Sequence, residues 1–316
     1  MRTLLLLALH AALLAGTLAE EVAEVASLRF EPVDAKRERT VPVKIYLPAV
    51  EGPRPVAIFS HGLGGSRENS PYLGEHWARA GYVAVFVQHH GSDESVWREA
   101  GPGERAAALR GAMSLQAALA RYLDIPFVLD RLEEWQAAAG HPLKGRLDLG
   151  KIGLCGHSFG AVTTQALMGQ RFPAGRDFHD PRLKAFFLMS PSASRGLPSA
   201  QAYGQVEGPV LCMTGTEDGS PLQPELTPES RLEVYASLPA GDKYQLVLDG
   251  AGHFAFSDVG LYDEQRLRHH HPAIQTISTR FWDAYLKGDE AAKTWLQSES
   301  PRSDAKLAEK DRWEWK

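Results

Sequence analysis

Two cysteines, Cys155 and Cys212, are all that the 316 residues contain. That scarcity excludes a disulfide-stapled scaffold, and neither cysteine has the spacing of a metal site. Basic runs are lacking too: 34 Lys and Arg stand against 39 Asp and Glu, a net charge of −5. The one cluster of basic character covers 266–271, so nothing points to a DNA or RNA partner. Long apolar runs are absent, with one short exception from Leu4 to Leu14, broken only by His10. A membrane-spanning helix needs about 20 apolar residues, so no transmembrane anchor is expected. Arg2 before that run, and Thr17-Leu18-Ala19 followed by Glu20-Glu21 after it, read as a secretory signal peptide over 1–19, cleaved near Ala19. The expectation is an exported chain, periplasmic or secreted.

What is present is the composition of a folded chain, 44% hydrophobic and 23% charged. Segments 26–30 and 40–47 alternate apolar and polar residues, as an antiparallel hairpin at a sheet edge would, and an edge tolerates Pro42. Segments 55–60, 82–87, 151–155, 185–189, 209–213 and 244–248 are short apolar runs, the mark of strands buried on both faces. Between them lie helical stretches at 72–80, 104–139, 161–168 and 231–238, and an amphipathic helix follows at 274–286. Within 104–139, Leu123, Phe127, Val128, Leu132 and Trp135 are spaced for one apolar face, with Pro126 expected to break or begin a helix. Alternating strands and helices predict a doubly wound, mainly parallel sheet covered on both faces, in one domain over 20–300. The charged stretch 301–316 reads as a C-terminal tail, open between a docked helix and a loose end.

The most informative stretch is Gly156-His157-Ser158-Phe159-Gly160, placed between a strand and a helix. Gly-x-Ser-x-Gly in that context is a nucleophile elbow: the glycines let strand and helix approach while the serine stands exposed at the tip. A serine hydroxyl is a poor nucleophile near neutral pH, so it needs a base in hydrogen-bond reach and an acid to orient that base. Loops at the carboxyl ends of parallel strands gather at one rim. Four such loops here end in suitable groups: His61-Gly62-Leu63-Gly64-Gly65, Ser158, Asp218 and His253. Ser158 would be the nucleophile, His253 its base and Asp218 the acid, with Glu217 the adjacent alternative. The backbone N–H groups of Leu63 and Phe159 are the candidate oxyanion donors.

The order Ser, Asp, His and the flanking motifs resemble the α/β-hydrolase superfamily across nearly the whole chain after the leader. Within it, Phe59-Ser60-His61-Gly62-Leu63-Gly64-Gly65 with the elbow resembles the platelet-activating-factor acetylhydrolase and dienelactone-hydrolase-like branch, which also contains chlorophyllases and polyester hydrolases. Two departures are Ala161, where many relatives have Gly, and Ser158, where true dienelactone hydrolases have Cys. A third is Ser190-Pro191-Ser192, where the acetylhydrolases carry their acid. The resemblance implies an eight-stranded α/β-hydrolase sheet, and the connection from Ser190 to Gly208 is too short for a large cap domain, so an open cleft is expected. The resemblance also implies a serine esterase that needs no cofactor or metal and acts on a small-molecule or lipid-like carboxylic ester. A non-catalytic binding protein on the same scaffold is the alternative; the oligomeric state is left open.

The strand order implied by the resemblance puts 185–189 between the strands of Cys155 and Cys212. At about 4.8 Å per strand the thiols would be about 9–10 Å apart, too far for a disulfide, and two free buried thiols are expected. His89 and His90 follow a strand and, with Trp97, are candidates for the substrate pocket, against plain loop and packing roles. His269-His270-His271 invites a metal reading, but consecutive side chains point apart and no carboxylate spacing accompanies them.

Overall fold

A computed structural model describes residues 25–101, 103–258 and 266–316. The expected signal peptide, its cleavage site and most of the stretch after the His253 turn lie outside them.

The chain opens with β1 (Ser27–Phe30), the two-residue strands β2 (Val33–Asp34) and β3 (Arg39–Thr40), β4 (Val43–Tyr46) and β5 (Arg54–Ser60). Then come α1 (Pro71–Arg79), β6 (Val83–Val87), α2 (Ser95–Arg98), α3 (Arg105–Ala112) and α4 (Leu115–Ala137). The elbow joins β7 (Leu147–His157) to α5 (Phe159–Leu167). β8 (Leu183–Met189), α6 (Ser199–Tyr203), β9 (Val210–Glu217), α7 (Glu233–Ser237) and β10 (Lys243–Gly252) complete the alternation. The chain ends with α8 (His270–Trp282), α9 (Glu290–Leu296), α10 (Ser300–Asp304) and β11 (Arg312–Trp315).

The large sheet has the order β1-β4-β6-β5-β7-β8-β9-β10-β11. From β6 to β10 all neighbours run parallel, and the antiparallel pairs stand at the margins: β1 with β4, β4 with β6, and β10 with β11. Nine strands replace the expected eight. The ninth is β11, in which Trp313 pairs with Leu246 and packs almost parallel to the Tyr244 ring. The charged stretch 301–316 is therefore neither a separate tail nor only a docked helix. Trp313 buries apolar area on an otherwise open edge, which outweighs the charge that made the stretch look solvated.

Period-two alternation divides the core between the two faces of the sheet. Val56 and Ile58 face α4 and α5 together with Ile125, Val128, Leu129 and Leu167. Ala57 and Phe59 face the other side, where Trp77 of α1 and Ile274, Phe281 and Trp282 of α8 pack. Pro126 lies inside the continuous α4 instead of breaking it, because burial of the helix along most of its length offsets the lost hydrogen bond. Leu123, expected on the buried face, is 47% exposed. The buried residues of α4 are Ala118, Arg121, Tyr122, Asp124, Ile125, Val128, Leu129 and Leu132, and two of them, Arg121 and Asp124, are charged.

Cys155 and Cys212 are free and buried. β8 separates them, through Cys155 opposite Phe187 and Leu188 opposite Cys212, and they belong to the cores on opposite faces of the sheet. Burial pushes both thiols up, Cys212 to about 12.

Candidate active site

At the carboxyl end of β7 the backbone turns at Ser158 with φ 55° and ψ −115°, a strained left-handed conformation for a residue with a Cβ. Crowding enforces the turn. A methyl group on Gly156 would lie 2.1 Å from the Gly160 carbonyl oxygen, and one on Gly160 would lie 1.8 Å from that of Ser60. The Ser158 N–H donates to Met189 O at 2.9 Å, tying the elbow to β8.

Three side chains from three strand ends meet there. His253 Nε2 lies 2.9 Å from Ser158 Oγ, and His253 Nδ1 lies 2.7 Å from Asp218 Oδ1. A carboxylate can only accept, so Nδ1 carries the proton and Nε2 is free to accept from the serine. The Thr214 hydroxyl donates to the other Asp218 oxygen at 2.8 Å. Burial alone would raise the Asp218 carboxyl, but the His253 hydrogen bond and the nearby charges of His253 and Arg231 outweigh it and hold the group below its ordinary value. Glu217, the neighbouring alternative, points outward and is exposed. His157 Nε2 donates to the His253 carbonyl at 2.9 Å, and burial and the proximity of His253 push its imidazole down to about 3.

The loop after β5 lies against this group. A methyl on Gly62 would be 3.4 Å from Ser158 Cβ. Phe159 is the first residue of α5, so its N–H has no acceptor one turn back and is available, as Leu63 N–H would be from the facing loop. Arg121, buried on α4, holds the loop from below: Nη1 donates to His61 O at 2.7 Å and Nε to Ser92 Oγ at 2.8 Å. Its guanidinium also covers the Phe159 ring, 4.3 Å from the centroid. The His89 N–H donates to His61 Nε2 at 3.1 Å, so the other nitrogen of His61 carries the proton and donates to Gly62 O at 2.6 Å.

His89 is not a pocket residue. It is fully buried, with Nδ1 2.9 Å from Asp124 and Nε2 2.9 Å from Ser60 Oγ, because a carboxylate on α4 draws it inward. Asp124 also binds Arg37 and Arg39. His90 is half-exposed and bonds Asp93 at 3.0 Å. Trp97 donates to Gly64 O at 2.7 Å and lines a cavity of about 310 Å³ with Gly64, Ser66, Glu68, Asn69, Glu94 and Arg98. A larger groove, about 1100 Å³, lies away from Ser158, around Leu183 and Lys184 at the amino end of β8. The three consecutive histidines go to separate partners: His269 to Asp311, His270 to Asp249 O, and His271 stacked on Tyr72.

Motif reading missed Arg121, Asp124, Thr214 and Arg231. The signal for the first two was a cation and an anion three residues apart on an otherwise apolar helix face, a placement buried charges adopt only when paired.

No known family profile matches the chain, and no curated protein does. Among solved structures, a ferulic acid esterase from Streptomyces cinnamoneus superposes with a TM-score of 0.59 at 20% sequence identity, over 84% of this chain and 91% of that one. At that identity the likeness speaks for the fold alone: a mixed α/β architecture around a large, mostly parallel sheet.

Proposed function

We propose that this chain is a serine carboxylic-ester hydrolase working through an acyl-enzyme on Ser158. The observation that carries the reading is the continuous hydrogen-bonded line from Ser158 Oγ through His253 to buried Asp218. His253 takes the serine proton as Oγ attacks the ester carbonyl, then returns it to the departing alcohol. Asp218 keeps the imidazole in the Nδ1–H tautomer and stabilises the imidazolium. The N–H groups of Phe159 and Leu63 receive the oxyanion, an interaction typically worth about 2.7–4 kcal/mol per donor. Water, activated by the same histidine, releases the acid. The scheme uses no cofactor or metal.

Substrates in this reading are small-molecule or lipid-like esters, with a place near the acetylhydrolase and dienelactone-hydrolase-like branch. The leader-like N-terminus supports export to the periplasm or beyond after cleavage near Ala19. Hydrolysis of a short p-nitrophenyl ester by the full chain and by Ser158→Ala tests the chemistry; equal rates would leave only a binding protein on a hydrolase scaffold. A panel of hydroxycinnamate esters, lactones, lysophospholipids and polyesters then defines the substrate.

A further inference from the structure

The buried cation beside the acid is Arg231, in the helical turn 229–232, only 2% exposed. Its Nε donates to Asp218 O at 3.2 Å and lies 3.7 Å from Asp218 Oδ1. Nη1 donates to the Ser190 and Pro191 carbonyls at 3.2 and 3.1 Å and to Ser192 Oγ at 3.0 Å. Nη2 comes within 3.4 Å of His253 Nδ1. Since Nδ1 already gives its proton to Asp218, that last approach sets two donors side by side, an electrostatic proximity and not a bond. One side chain thus ties the loop after β8 to the loop after β9 and stands against the imidazole.

We propose that Arg231 is a positioning residue of the Asp218–His253 pair: its guanidinium fixes the carboxylate in register with Nδ1 and disfavours a second proton on the imidazole of the free protein. The proposal rests on the serine-hydrolase reading and deepens it. A cation this close opposes an imidazolium while the Asp218 carboxylate favours one, and Arg231 stands within reach of both. Among the described residues, the other ionisable groups around the His253 turn are His157 at the end of β7, His271 on α8, Asp258 beyond the turn, and Tyr72 and Arg266, which donate to the Phe256 and Ser257 carbonyls at 3.1 and 3.2 Å. His157 makes a hydrogen bond to the His253 carbonyl, His271 stacks on Tyr72, and the Asp258 carboxylate accepts from the N–H groups of Ser70 and Tyr72 at the start of α1. Glu217, at the end of β9, is exposed. Arg231 is the one among these whose guanidinium reaches the imidazole edge and the carboxylate at once.

The test is the pH dependence of kcat/KM from pH 5 to 8 for the full chain, Arg231→Gln and Arg231→Lys, beside NMR titration of the His253 ring in histidine-labelled protein. Arg231→Gln removes the charge and keeps an amide donor for the carbonyls. Its acid limb and the His253 NMR titration are expected to move to higher pH than in the unaltered chain. A uniformly lower rate with an unmoved midpoint would overturn the proposal. Arg231→Lys keeps the charge but not the fork, so kcat is expected to fall about tenfold with KM and the titre of reactive serine unchanged. An unaltered kcat would equally overturn it, and this arm stands if Arg231→Gln does not fold. The NMR arm reads the imidazole without substrate. If Ser158→Ala still hydrolyses esters, the serine-hydrolase reading fails, and a shifted His253 titration in Arg231→Gln separates that failure from one of the electrostatic assignment.

Discussion

Arg121 Nη1 donates to the carbonyl oxygen of His61 over 2.7 Å, across 60 residues of chain. The bond fixes the peptide plane that precedes Gly62 and Leu63, and so aims the loop proposed to receive the oxyanion. Burial lowers Arg121 to about 9, still cationic at neutral pH. Arg121→Met is expected to lower kcat about 10–100-fold with KM nearly unchanged and with weaker binding of a boronate transition-state analogue in proportion. Steady-state kinetics and active-site titration check it; a loss confined to the number of titratable sites would assign Arg121 to folding alone.

Asp218→Asn should leave the fold intact and remove the preference for the Nδ1–H tautomer, lowering kcat by about 10⁴-fold. Glu217→Gln, one residue earlier and exposed, should leave kcat as it is. The pair of variants separates the two acids that lie side by side in the chain, and comparable losses in both would contradict the assignment.

Gly160→Ala drives a methyl group to within 1.8 Å of the Ser60 carbonyl oxygen, a backbone atom that cannot swing aside. The expected cost is about 3 kcal/mol or more, read as a lowered urea midpoint or loss of soluble protein. Full stability in this variant would mean that the strand and helix of the elbow are not in contact as described.

His89 and His157 are held neutral, the first pushed down to about 4 by burial and the Arg121 charge against the pull of Asp124, the second to about 3 by burial and His253. Their unfolded values are about 6.5. Both folded values are depressed, so the unfolded chain binds the extra protons first: the stability held above about pH 6.5 is lost progressively as pH falls toward 4 and 3. Urea midpoints between pH 7 and 4 should decline, and the slope should be shallower in His89→Gln. Glu68, held at about 2 chiefly by its hydrogen bond to Arg29, adds its own loss only below about pH 4.5. A flat midpoint from pH 7 to 4 would show that neither imidazole is held neutral by the fold.

Trp313 of β11 is 6% exposed and donates to Leu296 O at 3.2 Å. Trp313→Ala should cost about 3–5 kcal/mol while kcat of the folded fraction stays unchanged. Calorimetry with parallel kinetics tests it; wild-type stability would return this stretch to the role of a tail.

The strands and their alternation with helices were legible because runs such as Val83-Ala84-Val85-Phe86-Val87 are apolar without interruption, which only a strand covered on both faces tolerates. Ser158, Asp218 and His253 could be placed together from sequence because each follows a strand of one parallel sheet, and parallel strands deliver their carboxyl ends to one rim. His89 could not be read correctly. It follows a strand like the others, and what draws it inside is Asp124, on a helix 35 residues further on. β11 was illegible for the opposite reason: Arg312-Trp313-Glu314-Trp315 alternates, but four residues bounded by charge carry too little pattern to be called a strand without the β10 edge they complete.

By itself, the sequence determined the elbow and the order of the three strand-end side chains, since local steric rules and sheet handedness act through neighbouring residues and strand ends. The tertiary structure decided which charges are buried against which: Arg121 under the His61 loop, Asp124 behind His89, and Arg231 between Asp218 and His253. Those pairings depend on distances across the fold, where desolvation makes an unpaired charge costly and a paired one tolerable, and no spacing along the chain encodes them.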